Sequence, residues 1–314
     1  MYKEIIDKIS QYQKIIIHRH KNPDLDALGS QLGLKGLIMD NFEDKEVYVV
    51  GDENEYTFLG RMETIEDSKY EDALVIVLDV AVKALVSDKR YKLGKEVLII
   101  DHHLNKNDFG DIWVSYPEHI ATAQILSDMA YKHEIRVSPN TANCLLAGII
   151  TDSGRFFYPS VSALTFKLAG HLIECGADLQ FIYKALYTEE LSYKKLKGHF
   201  INSFLTTKHN VAYMKNDKEL KNRFKVSTFA ISRGMVNQMA GIKGIPIWAN
   251  FTEDDDGSIL CELRSASLPI VDIAKKYGGG GHALACGCMV SSWDETDLVL
   301  KDLDALLESE EHRG

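Results

Sequence analysis

The sequence predicts an α/β fold: a doubly wound, mainly parallel sheet followed by a smaller α/β domain. Three observations carry this. Short β-branched runs alternate with helix-patterned segments through the first half of the chain. Several of these runs lead straight into histidine or aspartate, at the carboxyl ends of strands where ligands collect in such folds. The pattern changes near residue 185, and 314 residues is long for one core, so two domains are expected.

The first strand is Lys14–Ile17, three isoleucines behind a lysine. A helix follows over Asp26–Met39, where Leu28, Leu32, Leu34 and Leu37 recur at roughly helical spacing. Val47–Val50, Leu74–Leu78 and Val97–Ile100 read as further strands, and Ala121–His133 and Asn140–Ile150 as helices. Residues 187–205 are polar and helix-compatible and are expected to form a connecting helix between a first domain, 1–186, and a second, 206–314. In the second domain, Val211–Met214, Lys225–Ile231, Pro246–Phe251 and Ile259–Ser265 look strand-like, with TEDDDGS (252–258) as a hairpin turn between the last two. The terminal LESEEHRG reads as a frayed tail.

Composition narrows the function classes. Hydrophobic content of 45% and charged content of 26% suit a soluble globular protein. No apolar run approaches the roughly 20 residues that span a bilayer, and acidic residues interrupt the N-terminal segment, so neither a membrane partner nor a signal peptide is expected. Five cysteines without a CxxC pair suit a reducing cytoplasm. The net charge, 36 − 46 = −10, argues against long nucleic acid, whose binding rests on lysine and arginine. A small anion held by local positive groups or by metal remains compatible with that charge.

The chemistry gathers at element ends. IIIHRHKNPDLDALGS places His20, Asp24 and Asp26 where a strand gives way to a helix, with Pro23 stiffening the approach. Imidazole with carboxylates suits Mn²⁺, Co²⁺, Fe²⁺ or Zn²⁺ better than Ca²⁺. An Asn-Pro-Asp turn with a helix-capping aspartate is the plainer alternative. Asp79 ends LVIVLD, while Asp101, His102 and His103 follow VLII; AGIITDSGRF presents Asp152 and then Arg155. Independent turns have no reason to match one ligand set. His18 is expected to be a packed histidine and Ser30 an ordinary helix residue.

HKNPDLDALGS, LDVA, DHH and TDSGRF, in this order, resemble the four motifs of the DHH phosphoesterase superfamily, which includes RecJ-type exonucleases and family II inorganic pyrophosphatases. The resemblance implies a centre of two divalent cations, usually Mn²⁺. One would take His20 and Asp24, the other Asp26, His102 and Asp152, with Asp79 bridging. His103 would face the substrate phosphate, with Asp101 supporting the histidines. Cations about 4 Å apart can share a water, lower its pKa and brace an in-line displacement at phosphorus. Arg155 and His103 would add positive charge where the transition state is most negative.

RSASLPIVDIAKKYGGGGHALACG (264–287) is the second unusual stretch. Consecutive glycines let backbone amides approach an anion, and an arginine at a strand end can pair with phosphate. A flexible linker is the plainer alternative. The segment resembles the DHHA1 domain, with Cys286 a mild variation in its signature. That implies nucleotide binding by Arg264, Ser265, Gly279, Gly280, Gly281 and His282 across a cleft from the metals, and it disfavours pyrophosphate as substrate. The two-domain arrangement resembles a stand-alone oligoribonuclease and pAp-phosphatase group acting on very short RNA, on pApA and on adenosine 3′,5′-bisphosphate (pAp). A soluble cyclic-di-AMP phosphodiesterase and a catalytically silent nucleotide-binding regulator are the alternatives, and a homodimer is left open.

Overall fold

The computed structural model describes residues 2–53, 56–104 and 109–311 of the 314. The chain divides into two compact units, Met1–Tyr187 and Thr188–Gly314.

The first unit holds strands β1 (Lys14–His18), β2 (Glu46–Val49), β3 (Leu74–Leu78), β4 (Glu96–Asp101) and β5 (Ile112–Ser115). They run parallel in the order β2-β1-β3-β4-β5. β3, LVIVL, is buried at every residue, as a continuous apolar run between two covered faces should be. β5 was not foreseen: it is a half-buried edge strand whose place depends on pairing with β4. Strand order reverses between β1 and β3, so the crevice at their carboxyl ends is where this topology places a ligand.

One face of the sheet packs against helices α1 (Lys3–Gln11), α2 (Leu25–Asn41), α3 (Thr122–Lys132), α4 (Pro139–Asp152), α5 (Ala163–Glu174) and α6 (Leu179–Tyr187). The other face, carrying Ile16, Val75, Val77 and Ile99, is covered by Tyr70, Leu85, Val86 and Tyr91 from the short 3₁₀ turns at 67–70, 83–85 and 89–93 and their flanks. Turns stand there in place of the expected long helices because segments such as SDKRYKLGK lack a helical apolar period.

The second unit runs α7 (Leu191–Ser203), β6 (Leu205–Thr206), β7 (Val211–Asn216), α8 (Glu219–Phe224), α9 (Thr228–Met235), β8 (Ile247–Glu253), β9 (Ile259–Ser265), α10 (Val271–Lys276), β10 (Gly280–His282), β11 (Ala285–Val290) and α11 (Trp293–Glu311). Its sheet has the order β10-β11-β9-β8-β7-β6, antiparallel except for β7 beside β8. Helices α7 and α9 contribute to one core and α10 and α11 to another. The helix expected over 187–205 is α7, and it lies in the second unit, where Leu196 and Phe200 are buried with Met214 and Met235. The β8–β9 hairpin forms as expected. The strand expected at Lys225–Ile231 does not. Lys225, in the left-handed conformation at φ 54°, ends α8, and the Ser227 hydroxyl then accepts from the Ala230 amide to start α9. Local capping outweighs β-branched content there. Among the described residues no helix is long and apolar enough to cross a membrane.

Candidate metal centre

The segment after β1 is pinned before it turns. His20 bridges Val86, the Lys21 amide donates to the Leu85 carbonyl at 2.7 Å, and the Ser87 amide donates to the Arg19 carbonyl at 3.0 Å. His20 Nδ1 sits 2.8 Å from the Lys21 carbonyl, so Nδ1–H donates there and Nε2 is the nitrogen turned to the carboxylates. That Nε2 lies 3.8 Å from Asp24 Oδ1 and 3.6 Å from Asp79 Oδ2. Asp24 also caps α2, its Oδ1 accepting from the Asp26 and Ala27 amides at 3.0 Å each. The capping oxygen is also the one nearest His20 Nε2, so the cap holds this carboxylate beside the imidazole.

Asp26, fully buried, reaches across to α3, which begins with no side-chain cap from its own N-cap residue. Asp26 Oδ2 accepts from the Thr122 amide at 2.7 Å and Oδ1 from the Ala123 amide at 2.8 Å. A carboxylate at a helix N-terminus is favoured by the exposed amides and the helix dipole. Gly148 on α4 makes room for this: a Cβ there would fall 2.7 Å from Ala123 Cβ and 2.9 Å from Asp26 Oδ1.

Asp79, just past β3, has a left-handed backbone at φ 55°, uncommon outside glycine and concentrated at functional sites. Its Oδ1 lies 3.4 Å from His102 Nε2 and accepts from the Thr122 hydroxyl at 3.3 Å, while Oδ2 faces His20. The two oxygens thus turn to different histidines. His102 Nε2 is also 3.5 Å from Asp152 Oδ2, at the end of α4, and 4.0 Å from Asp26 Oδ2. Buried Asp101 accepts from the His102 amide at 2.9 Å and from His103 Nδ1 at 2.7 Å.

Three overlapping groups result, each with its ligand atoms within 4.8 Å of one another: His20, Asp24 and Asp79; Asp26, His102 and Asp152; and Asp79, His102 and His103. A cavity of about 210 Å³ is lined by these residues, Asp26 excepted, with Ala81 and Leu85.

Charge balance fits divalent cations. Burial, then the charges of Asp79 and Asp152, push Asp26 well above the usual carboxylate range. Burial, then Asp79 and Asp24, push Asp152 up to about 7. Burial pushes Asp79 up too, but its hydrogen bonds with His102 and His20 outweigh that and hold it well below the usual range. Burial lowers His20 and His102, yet carboxylate partners raise them to about 10 and about 9. Asp101 raises His103. Without a cation, protons hold these carboxylates together; a divalent cation on imidazole and carboxylate donors does the same work.

Of the other residues singled out, His18 is packed, its Nε2 3.1 Å from the Tyr70 hydroxyl, and the Ser30 hydroxyl donates within its own helix. Arg155 departs from expectation. It is exposed, and its guanidinium lies 5.4 Å from the Tyr187 ring centre rather than in the cluster. Gly154, Arg155 and Phe156 are successively left-handed, which turns the chain away after Asp152.

In the second unit, Arg264 is not a free cation. It pairs with Glu262 at 3.0 Å and donates to the carbonyls of Leu263 and Cys286. The Ser265 hydroxyl accepts from the Ser267 and Leu268 amides and closes a turn. Gly280, Gly281 and His282 form strand β10 rather than a linker, with Gly281 and His282 exposed and Gly279 entering the strand. Sequence reasoning missed Thr122, Ala123 and Gly148. A helix start at Thr122 without a capping side chain was the one available sign.

Residues 14–149 match the family model described as DHH family, N-terminal domain, and 218–309 match the DHHA1 domain. The bifunctional oligoribonuclease and PAP phosphatase NrnA of Bacillus subtilis (strain 168) is 35% identical, over 99% of this chain and 100% of its own length. The probable bifunctional oligoribonuclease and PAP phosphatase NrnA of Streptococcus mutans serotype c is 36% identical, over 98% of this chain and 99% of its own. Among solved structures, an exopolyphosphatase-related protein from Bacteroides fragilis matches with a TM-score of 0.82 and 25% identity, covering 97% of this chain and 96% of that one.

Proposed function

The chain belongs to the DHH family, and from that premise we propose that it is a metal-dependent phosphoesterase of very short nucleotides. It cuts short oligoribonucleotides, pApA among them, to mononucleotides and dephosphorylates pAp to AMP. The supporting observation is the chain of overlapping ligand groups: Asp79 joins His20 and Asp24 in one and His102 and His103 in another, and His102 joins Asp26 and Asp152 in the third. His20 and Asp24 would hold one cation and Asp26, His102 and Asp152 the other, with Asp79 placed to serve both. Two divalent cations, Mn²⁺ in this reading, would supply Lewis acidity and positive charge for displacement at phosphorus.

The chain's own residues do the rest. Asp101 holds Nδ1–H of His103, so Nε2 is presented to the phosphate, and the raised pKa lets it carry a proton. Arg155 swings from Tyr187 to the developing negative charge. Arg264, Ser265, Gly279, Gly280, Gly281 and His282 hold the nucleotide; for Arg264 this means exchanging Glu262 for phosphate. A net charge of −10 supports short ligands over long ones, and five free cysteines fit a cytoplasmic setting.

Product analysis tests this. Mn²⁺-loaded protein should release AMP rapidly from pAp, pApA and a pentanucleotide, with an RNA of about 24 nucleotides and cyclic di-AMP slow. Preference for either slow substrate, or no turnover at all, overturns the proposal.

A further inference from the structure

Cys261 on β9 and Cys288 on β11 stand directly opposite each other across an antiparallel pair. Four residues on from Cys261 and four back from Cys288, the Ser265 amide donates to the Leu284 carbonyl at 2.9 Å. Antiparallel ladders alternate every residue, so Cys261 and Cys288 also occupy a hydrogen-bonded pair. Such pairs hold their Cα atoms about 5.5 Å apart. Disulfides span Cα separations of about 4.4–6.8 Å. No backbone movement is therefore needed to join them.

Both side chains share one face of the sheet. Cys261 is buried in the core beneath α10 and α11, and Cys288 is half-buried against it. Cys261 Sγ donates to the Ile259 carbonyl at 3.6 Å, and the neighbouring thiols shift each other, Cys261 upward and Cys288 downward. Cys288, the sulfur that solvent reaches, is placed to meet an oxidant first, and buried Cys261 opposite it is placed to resolve it. Cys286 is a bystander: it faces Leu263, and burial pushes its thiol up to about 11. The chain entering β10 lies on the pair, since a Cβ at Gly279 would fall 2.6 Å from Cys288 Cβ.

We propose that Cys261 and Cys288 are a dithiol that peroxide oxidises to a reversible cross-strand disulfide. The Cys288 thiolate attacks a peroxide oxygen; the O–O bond breaks, a sulfenic acid forms, and the departing hydroxide takes a proton to become water. Cys261 sulfur then attacks Cys288 sulfur. The S–S bond forms, the S–O bond breaks, and the Cys261 proton leaves with the hydroxyl as a second water. Two thiols are oxidised, one peroxide is reduced, and a dithiol reductant returns both electrons. The bridge fastens β9 to β11, the strand that carries β10. Disulfides in reducing compartments are characteristically transient and redox-sensing, which suits a pair formed from cysteines that are otherwise free.

The test exposes the full-length metal-loaded protein to hydrogen peroxide, alkylates it under denaturing conditions, and maps intact and peptide masses. Two of the five thiols should become unreactive, with a Cys261–Cys288 cross-linked peptide that dithiothreitol removes. Cys288→Ser should form no bridge. Five reactive thiols after peroxide, added oxygen without a bridge, or a bridge through Cys286 overturns the proposal.

Discussion

Replacing Gly148 by alanine tests the packing that positions the second cation group. The new methyl would fall 2.7 Å from Ala123 Cβ, 2.9 Å from Asp26 Oδ1 and 3.2 Å from Asp26 Cα. Two of these atoms belong to a backbone and a one-carbon side chain, so neither can swing aside. Overpacking of this kind costs about 1–3 kcal/mol. Disturbing the bonds from the Thr122 and Ala123 amides to a buried carboxylate costs about 1.5–3 kcal/mol more for each one lost. Helix propensity returns about 1 kcal/mol. With one such bond lost, the net expectation is a loss of about 1.5–5 kcal/mol, or roughly tenfold or more in the folding equilibrium. Gly170→Ala is the control: it is exposed on α5 with nothing within 4 Å of the new Cβ, so it should be neutral or stabilising by up to about 1 kcal/mol. Urea midpoints at unchanged slope measure both, and a Mn²⁺ titration should show weakened binding in Gly148→Ala alone. Equal midpoints with wild-type Mn²⁺ affinity in both variants would refute the packing argument.

Asp79→Ala should leave the protein folded by circular dichroism but reduce turnover of pAp by more than about a hundredfold, since one carboxylate serves both cation groups; a rate within about tenfold of wild type counts against bridging. Asp101→Asn should lower kcat roughly 10–100-fold with little change in KM, because the amide oxygen can still accept from His103 Nδ1 but no longer carries the charge that raises its pKa; an unchanged kcat removes that role. His282→Ala should raise KM for pAp while Mn²⁺ affinity stays put, and an unchanged KM would detach this residue from nucleotide binding. Loading metal at pH 7 should release more than two protons, from His20 and His102 and from the carboxyls of Asp152 and Asp26, read by calorimetry in buffers of different ionisation heat. The raised imidazole values imply that metal-free protein is most favoured below pH 6.5 by these groups and loses that stability as pH rises through about 9 to 10. Metal-free Tm should therefore fall across that window while the metal-loaded Tm holds.

How much of the site was legible follows from how each residue acts. His20, Asp79, His102 and Asp152 sit at or just past the ends of apolar runs, so local pattern and strand-end topology put them at one end of the sheet, and Asp24 follows through the turn after β1. Asp26 was visible as a ligand type, but its dependence on amides 96 and 97 residues away was not, because backbone donors leave no mark in composition. Lys225–Ile231 misled because its β-branched residues speak for a strand while the Ser227 cap, worth about 1 kcal/mol, speaks for a helix. The carboxylate partner of Arg264 lies only two residues before it, and alternation along β9 puts both on one face; the pairing follows once the strand is assigned.

Electron paramagnetic resonance of protein titrated with Mn²⁺ tests the central claim most directly. Two cations sharing Asp79 should bind at two per chain and give a spin-coupled spectrum that Asp79→Ala abolishes. A single uncoupled site per chain in the wild type, or a coupled spectrum that survives Asp79→Ala, would contradict it.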